Sequence, residues 1–191
     1  MNLINLFPVT IGDVEFKDNF QIDKSLTEHC LNMKNQLKKG GSDWESNVFN
    51  TCGTHSILED SNFKLLNDWV LENILNYSKN IGYTEAIQSK EGWLNIYDEH
   101  DYQEIHDHLG YDVSAIYYLK VPKNSGKTFF VSHEAKGPKE VFIEKNPHTW
   151  KKFYITPNPG RLLIFKSNLL HGVTQSKSKD YKISLAYNFK F

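Results

Sequence analysis

Among the eight histidines of this chain, His106 and His108 stand two positions apart with Asp107 between them. In an extended strand, residues two apart project from one face. The two imidazoles can then chelate one metal ion while Asp107 points the other way, and imidazole nitrogen suits iron, zinc, copper or nickel. Asp107 is the rival second ligand, but it reaches the His106 face only through a bulge; strand geometry favours His108. A third histidine, His171, follows the apolar run 161–165 and lies 63 residues after His108, a separation that fits a ligand arriving from an opposite sheet. Eleven residues further on comes Lys182, with Ser184 two positions later. A cation buried beside a metal site requires an anion, and a carboxylate of a substrate or cosubstrate would supply one. His29, His55, His100, His133 and His148 are isolated and read as surface or satisfied core residues.

These side chains need a scaffold, and the chain changes texture near residue 90. The front part predicts two helices. One covers 24–39 and is closed by Gly40 and Gly41 as a C-cap. The other covers 61–83, with Asp60 or Ser61 as N-cap and Phe63, Leu66, Val70, Ile74 and Tyr77 forming a stripe at spacings of three or four beside Leu65 and Trp69. From residue 91 the pattern predicts short strands at 92–97, 102–108, 112–121, 128–132, 140–143, 161–166, 171–174 and 181–191, with turn chemistry at 123–126 and 156–160. Strands at this spacing with no helix between them predict a mainly β fold with flanking helices, an α+β jelly roll rather than a parallel sheet. One domain is expected over 1–191, with 1–90 as a helical support region and 91–191 as the jelly-roll core.

Two strands alternate clearly. In 181–191 the odd positions, from Ile183 to Phe189, are apolar, and the even ones are Lys182, Ser184, Ala186, Asn188 and Lys190. In 112–121, Val113, Ala115, Tyr117 and Leu119 oppose a mixed set of Asp112, Ser114, Ile116, Tyr118 and Lys120. The apolar sets can pack on helix residues such as Trp69. The mixed sets either line a polar cavity or meet solvent.

Composition excludes several classes. With 191 residues, 39% hydrophobic and 14% aromatic, the chain can bury a core and is neither disordered nor fibrous. No apolar run approaches the roughly 20 residues of a membrane helix, and the first residues lack the basic and apolar regions of a signal peptide. Two cysteines, Cys30 and Cys52, cannot staple a scaffold, which points to a reducing cytoplasm. A net charge of -1 argues against strong non-specific nucleic-acid binding. That total hides a split: residues 1–119 carry a charge of -11 and residues 120–191 carry +10. The simplest reading is that the halves interleave in space. Arg161 is the only arginine beside 21 lysines.

The order of His106 and His108, the return strand through Ser114, Tyr117, Tyr118 and Leu119, the distal run Leu162, Leu163, Phe165, His171, Gly172 and Val173, and a basic residue about ten positions on resembles the Fe(II)/2-oxoglutarate-dependent oxygenases. The resemblance is strongest to the small 2OG-Fe(II) oxygenases of phages and marine bacteria. It extends to Leu6, Phe7 and Pro8 and to Trp93 and Asn95, and is densest over 93–191. It implies a double-stranded β-helix (a cupin-like jelly roll), Fe(II) as cofactor and 2-oxoglutarate as cosubstrate. Carried over residue by residue, His106, His108 and His171 become the catalytic metal ligands, with His108 where the superfamily usually has a carboxylate. Three neutral imidazoles leave more positive charge on the metal than two histidines and a carboxylate would. Because position 108 is neither Ala nor Gly, a halide-binding variant is not expected. Lys182 falls where the family holds the distal carboxylate of 2-oxoglutarate. A lysine offers a point charge rather than a bidentate fork, so Tyr118 or Ser184 is expected to help it. Tyr97 and Asn95 are the candidates for the metal-proximal end.

The activity so implied is hydroxylation of a C–H bond with release of succinate and CO2. Two other readings compete with it: a cupin-like three-histidine metalloenzyme that does not use 2-oxoglutarate, and a non-enzymatic jelly-roll binding or virion-associated protein. The substrate classes left open are a small molecule, a peptide and an anionic macromolecule. Lys120, Lys123, Lys127, Lys136 and Lys139 keep a nucleic acid in view despite the net charge. A homodimer is a further partner to consider, and a membrane is not. The expected location is the cytoplasm, that of the host for a phage-encoded chain.

Overall fold

Alternation along the last strand decides the architecture. The computed structural model describes residues 1, 7–16, 20–40, 44–133 and 149–191, with backbone only for 20–23. The predicted strand at 140–143, the residues His148, Lys136, Lys139 and Gly41, and Leu6 of the N-terminal motif lie outside them. The elements run β1 (Ile11–Glu15), α1 (Phe20–Gln36), β2 (Phe49–Asn50), a 3-10 turn (Ser61–Phe63), α2 (Lys64–Asn80), β3 (Ser89–Tyr97), β4 (Gln103–His106), β5 (Val113–Lys120), β6 (Thr128–Val131), β7 (Lys152–Ile155), β8 (Arg161–Lys166), β9 (His171–Val173) and β10 (Lys182–Lys190).

These strands form a six-stranded sheet in the order β1-β8-β5-β10-β3-β2 and a four-stranded sheet in the order β4-β9-β6-β7, with every pairing antiparallel. From β3 onward the chain passes back and forth between the two sheets, which is the jelly-roll path. The acidic front and basic back do interleave. The late strand β10 lies between β3 and β5, and Arg161 of β8 grips both carboxylate oxygens of Asp13 on β1 at 2.8 and 2.6 Å.

The odd residues of β10 and β5 face the helices. Ile183, Leu185, Tyr187 and Phe189 join Val113, Ala115, Tyr117 and Leu119 in one cluster with Leu66, Val70, Ile74 and Tyr77 of α2 and with Leu26, Cys30 and Met33 of α1. Trp69 packs on this layer, its ring centroid 6.2 Å from that of Tyr117. Asp60 ties the helical layer together. Its carboxylate accepts from the Asn62 backbone at the N-terminus of the 3-10 turn, and His29 Nε2 of α1 lies 2.7 Å from its other oxygen. Burial raises the Asp60 carboxyl, but the hydrogen bonds from His29 and Asn62 outweigh it and hold the group at about 2.

Several expectations are corrected. The front part is not purely helical: β1 and β2 extend the larger sheet at either edge, and both are too short or too interrupted by Gly and Asp to show a strand period. Residues 152–155 form β7, an unforeseen strand whose outer residues are exposed. The first helix ends at Gln36, and Gly40 is not its C-cap. Gly40 N–H instead donates to Asn50 O at 2.8 Å, and a Cβ at Gly40 would overlap the Cys52 carbonyl. Lys120 does not share the inward face of Tyr118, because a bulge at Ile183 and Ser184 sets Ile183 opposite Lys120; its ammonium pairs with Asp180 at 2.7 Å. Both cysteines are free. No helix among the described residues is long and apolar enough to cross a membrane.

Gly172 shows how closely the smaller sheet is packed. A Cβ there would stand 2.8 Å from both Gln103 O and the Phe129 ring, so Gly172→Ala must push β9 away from β4 or displace Phe129. Overpacking of this kind costs about 1–3 kcal/mol. Urea denaturation is expected to show a loss in that range.

Candidate metal centre and active site

The face of β10 and β5 opposite the helices lines a cavity of about 190 Å³ between the two sheets. Ser114, Ile116, Tyr118, Lys182, Ser184 and Ala186 of the mixed sets therefore line an interior cavity, whereas Lys190 is exposed. His106 closes β4 and His171 opens β9. The two are cross-strand partners in the smaller sheet, so His171 arrives from the adjacent strand and not from an opposite sheet. His108 lies beyond the end of β4, in the loop before β5, and its N–H donates to Ser167 O at 2.9 Å. The shared face of His106 and His108 is thus the work of a loop tethered to β8 and β9, not of strand alternation.

The donor nitrogens of these three residues lie within 4.8 Å of one another, close enough to share one ion; Asp107 lines the cavity but is not part of that group. His106 Nδ1 sits 2.8 Å from Glu104 O and His171 Nδ1 2.8 Å from Leu169 O. A carbonyl only accepts, so both Nδ1 atoms carry the proton and both Nε2 atoms present a lone pair. Burial, reinforced by the neighbouring imidazoles, lowers His108 to about 4 and drives His171 well below its ordinary value. His106 is lowered chiefly by burial. Three neutral imidazoles with converging lone pairs suit a borderline transition metal. Phe165 and Phe130 pack against His171 at ring-centroid distances of 4.7 and 6.1 Å, which shields that imidazole from water.

Lys182 is the other chemical feature of the cavity. It is 1% exposed, and its Nζ has no hydrogen-bond partner among the described residues, lying 4.0 Å above the centre of the Tyr97 ring. Burial alone brings its ammonium down to about 7. An orphaned cation in a polar pocket is costly to keep unless something anionic is meant to meet it. The cavity therefore fits both groups of an iron and 2-oxoglutarate site: three nitrogen donors, and a buried cation that wants a carboxylate.

The remaining predicted residues also reach this cavity. Tyr118, Ser184, Tyr97 and Asn95 line it. The Tyr118 hydroxyl donates to Thr128 Oγ1 at 2.6 Å, and the Tyr97 and Ser184 hydroxyls are hydrogen-bonded. Trp44, Thr128 and Glu91 went unrecognised in the sequence. Glu91 could have been found by carrying the period-two face of β3 backward from Tyr97 through Asn95 and Trp93. Nothing local marks Trp44, because only the fold brings it against His106, with ring centroids 4.9 Å apart.

Comparison with known proteins agrees with this geometry. No curated protein sequence matches the chain. Among solved structures, a prolyl-4-hydroxylase from Pseudomonas putida superposes with a TM-score of 0.70 at 14% identity, over 95% of this chain and 92% of its own. A prolyl hydroxylase from Trichoplax adhaerens, in complex with a peptide of hypoxia inducible factor, gives 0.70 at 16% identity, over 94% and 83%. HygX from Streptomyces hygroscopicus, with nickel, 2-oxoglutarate and hygromycin B bound, gives 0.66 at 12% identity, over 95% and 83%. At these identities the likeness is one of fold, the double-stranded β-helix. Residues 91–188, which contain all three histidines and Lys182, match the model of a family described as "Putative 2OG-Fe(II) oxygenase". The chain belongs to this family of oxygenases, oxidoreductases that work with Fe(II) and 2-oxoglutarate.

Proposed function

We propose that the protein hydroxylates a C–H bond of its substrate, with His106, His108 and His171 holding Fe(II) and Lys182 holding the distal carboxylate of 2-oxoglutarate. The observation that carries this reading is the fully buried Lys182 Nζ, without a hydrogen-bond partner among the described residues, in the same cavity as the histidine group. A three-histidine metalloenzyme working without 2-oxoglutarate leaves that ammonium unexplained, and so does a binding module.

When bound, iron would activate O2, with one oxygen atom entering succinate as 2-oxoglutarate loses CO2 and the other becoming the substrate hydroxyl. The rest is the work of the chain. The bonds from Nδ1 of His106 and His171 to backbone carbonyls hold the imidazoles in one tautomer and one orientation. Lys182 supplies charge to the cosubstrate, and the hydroxyls of Tyr118 and Ser184 stand on the same inner face to accept or donate beside it. Tyr97 walls the Lys182 end, and Asn95 lines the cavity two residues before it. Anaerobic addition of Fe(II) and 2-oxoglutarate is expected to produce a visible charge-transfer band, and oxygen should then release succinate. Absence of the band removes the reading.

The Lys182 ammonium also sets a pH dependence. Above about pH 7 the free protein holds this lysine neutral, so binding a carboxylate must take up a proton. The Kd for 2-oxoglutarate is expected to be flat below pH 7 and to weaken by up to about tenfold per pH unit above it. Calorimetry in buffers of different ionisation enthalpy would check this; a Kd independent of pH between 7 and 9 would contradict it.

A further inference from the structure

The cavity wall is charged in opposite senses at its two ends. Along the inner face of β10 run Lys182, Ser184, Ala186 and Asn188, each paired across to β3 with Tyr97, Asn95, Trp93 and Glu91. Six residues of strand separate Lys182 from Asn188, roughly 20 Å. At the far end the Glu91 carboxylate accepts from Asn188 Nδ2 at 2.7 Å, and Asn188 is 1% exposed, so the acid is held by a buried donor. His108 lies between the ends, its ring centroid 5.7 Å from that of Trp93. Once the histidines and Lys182 are assigned to iron and 2-oxoglutarate, the charged side chains left on the described wall are Glu91 and Asp107, both acids. Two half-buried indoles accompany them, Trp93 against His108 and Trp44 against His106. Among the described residues no lysine of the basic half other than Lys182 lines it: Lys120 is paired with Asp180, and Lys123 and Lys127 are exposed.

We infer that the substrate carries an alkylammonium group, bound at the Glu91 end of the cavity by that carboxylate and by the indole of Trp93, two residues along the same face of β3. This rests on the oxygenase reading above and names its substrate class. A carboxylate and aromatic faces in a partly desolvated pocket attract an organic cation both by charge and by the ring quadrupole. The same wall repels a second anion, so the two reactants sort themselves by charge, the dianion toward Lys182 and the amine toward Glu91.

The test uses the anaerobic protein with Fe(II) and saturating 2-oxoglutarate, read by tryptophan fluorescence and by the charge-transfer band. Butylammonium is titrated against its uncharged and anionic counterparts, butanol and butyrate, and a lysyl tripeptide amide with a blocked N-terminus distinguishes a peptide-borne amine from a free one. Saturable binding of butylammonium or the tripeptide, at least tenfold tighter than butanol, is expected. Glu91→Gln should weaken it tenfold or more while leaving the affinity for 2-oxoglutarate in place. Should that variant fail to fold, Trp93→Leu carries the same expectation. Equal binding of the three butyl probes, a preference for butyrate, or an unchanged amine affinity in both variants overturns the inference. Loss of 2-oxoglutarate binding by the unaltered protein would instead strike the oxygenase reading, so the two failures are told apart.

Discussion

His171→Ala will leave a folded protein that no longer holds iron. The residue is 3% exposed and is tied into β9 by the bond from its Nδ1 to Leu169 O. Its removal takes away one of three donor nitrogens and opens a space beside Phe165. Loss of even an outer partner of a metal ligand costs 10–100-fold in affinity, so loss of the ligand itself is expected to weaken iron binding by more than about a hundredfold. The charge-transfer band and succinate release should vanish together. The larger sheet and both helices do not depend on this side chain, so far-UV circular dichroism should be unchanged. Free imidazole, small enough to enter the vacated space, is expected to restore part of the band. Stoichiometric iron in the variant, with an undiminished band, would remove His171 from the ligand set.

Lys182→Met is expected to move stability and function in opposite directions. The ammonium is buried with no hydrogen-bond partner among the described residues, and burial lowers its pKa from the ordinary 10.5 to about 7. The unfolded chain therefore binds a proton that the folded chain lacks between those two values. The contribution of this group to stability rises with pH across that window, and its penalty is complete below about pH 7. By linkage the penalty is of the order of 3–5 kcal/mol. Methionine matches the length of the stem and carries no charge, so at pH 6.5 the variant should melt roughly 5–15 °C higher. Affinity for 2-oxoglutarate should fall by about a hundredfold or more, as when one partner of a buried ion pair is truncated. Iron binding should survive. Melting curves and anaerobic titrations read the two effects separately. An unchanged or lower melting temperature would mean that the ammonium has a partner, and intact 2-oxoglutarate binding would mean that it has another task. The stability given up at this position marks it as kept for a ligand.

Much of this was legible in the order of the residues. Alternation in 181–191 places Lys182 and Ser184 on one face whatever the strand pairs with, because side chains in an extended chain have period two. The same rule puts Tyr118 opposite the helix-facing Tyr117. The stripe from Phe63 to Tyr77 needed only the period of the α-helix to show which side meets the sheet. Short strands separated by turn chemistry, with no helix between them, left a jelly roll as the economical architecture.

Other features were not local. The strand β4 stops at His106, and His108 returns to the site because its N–H is held by Ser167, a residue 59 positions away in sequence. His171 meets His106 because β9 and β4 are sheet neighbours, a fact of topology that a spacing of residues does not contain. The bulge at Ile183 and Ser184 turned Lys120 out toward Asp180. Sequence by itself determined which residue types could hold a metal and a dicarboxylate, and which faces of their strands they share, since both follow from side-chain chemistry and backbone period. Only the tertiary structure decided that those faces close around one cavity, that Lys182 is left there without a hydrogen-bond partner among the described residues, and that Glu91 stands at its other end. Burial, and the electrostatics that burial creates, arise from the packing of distant segments.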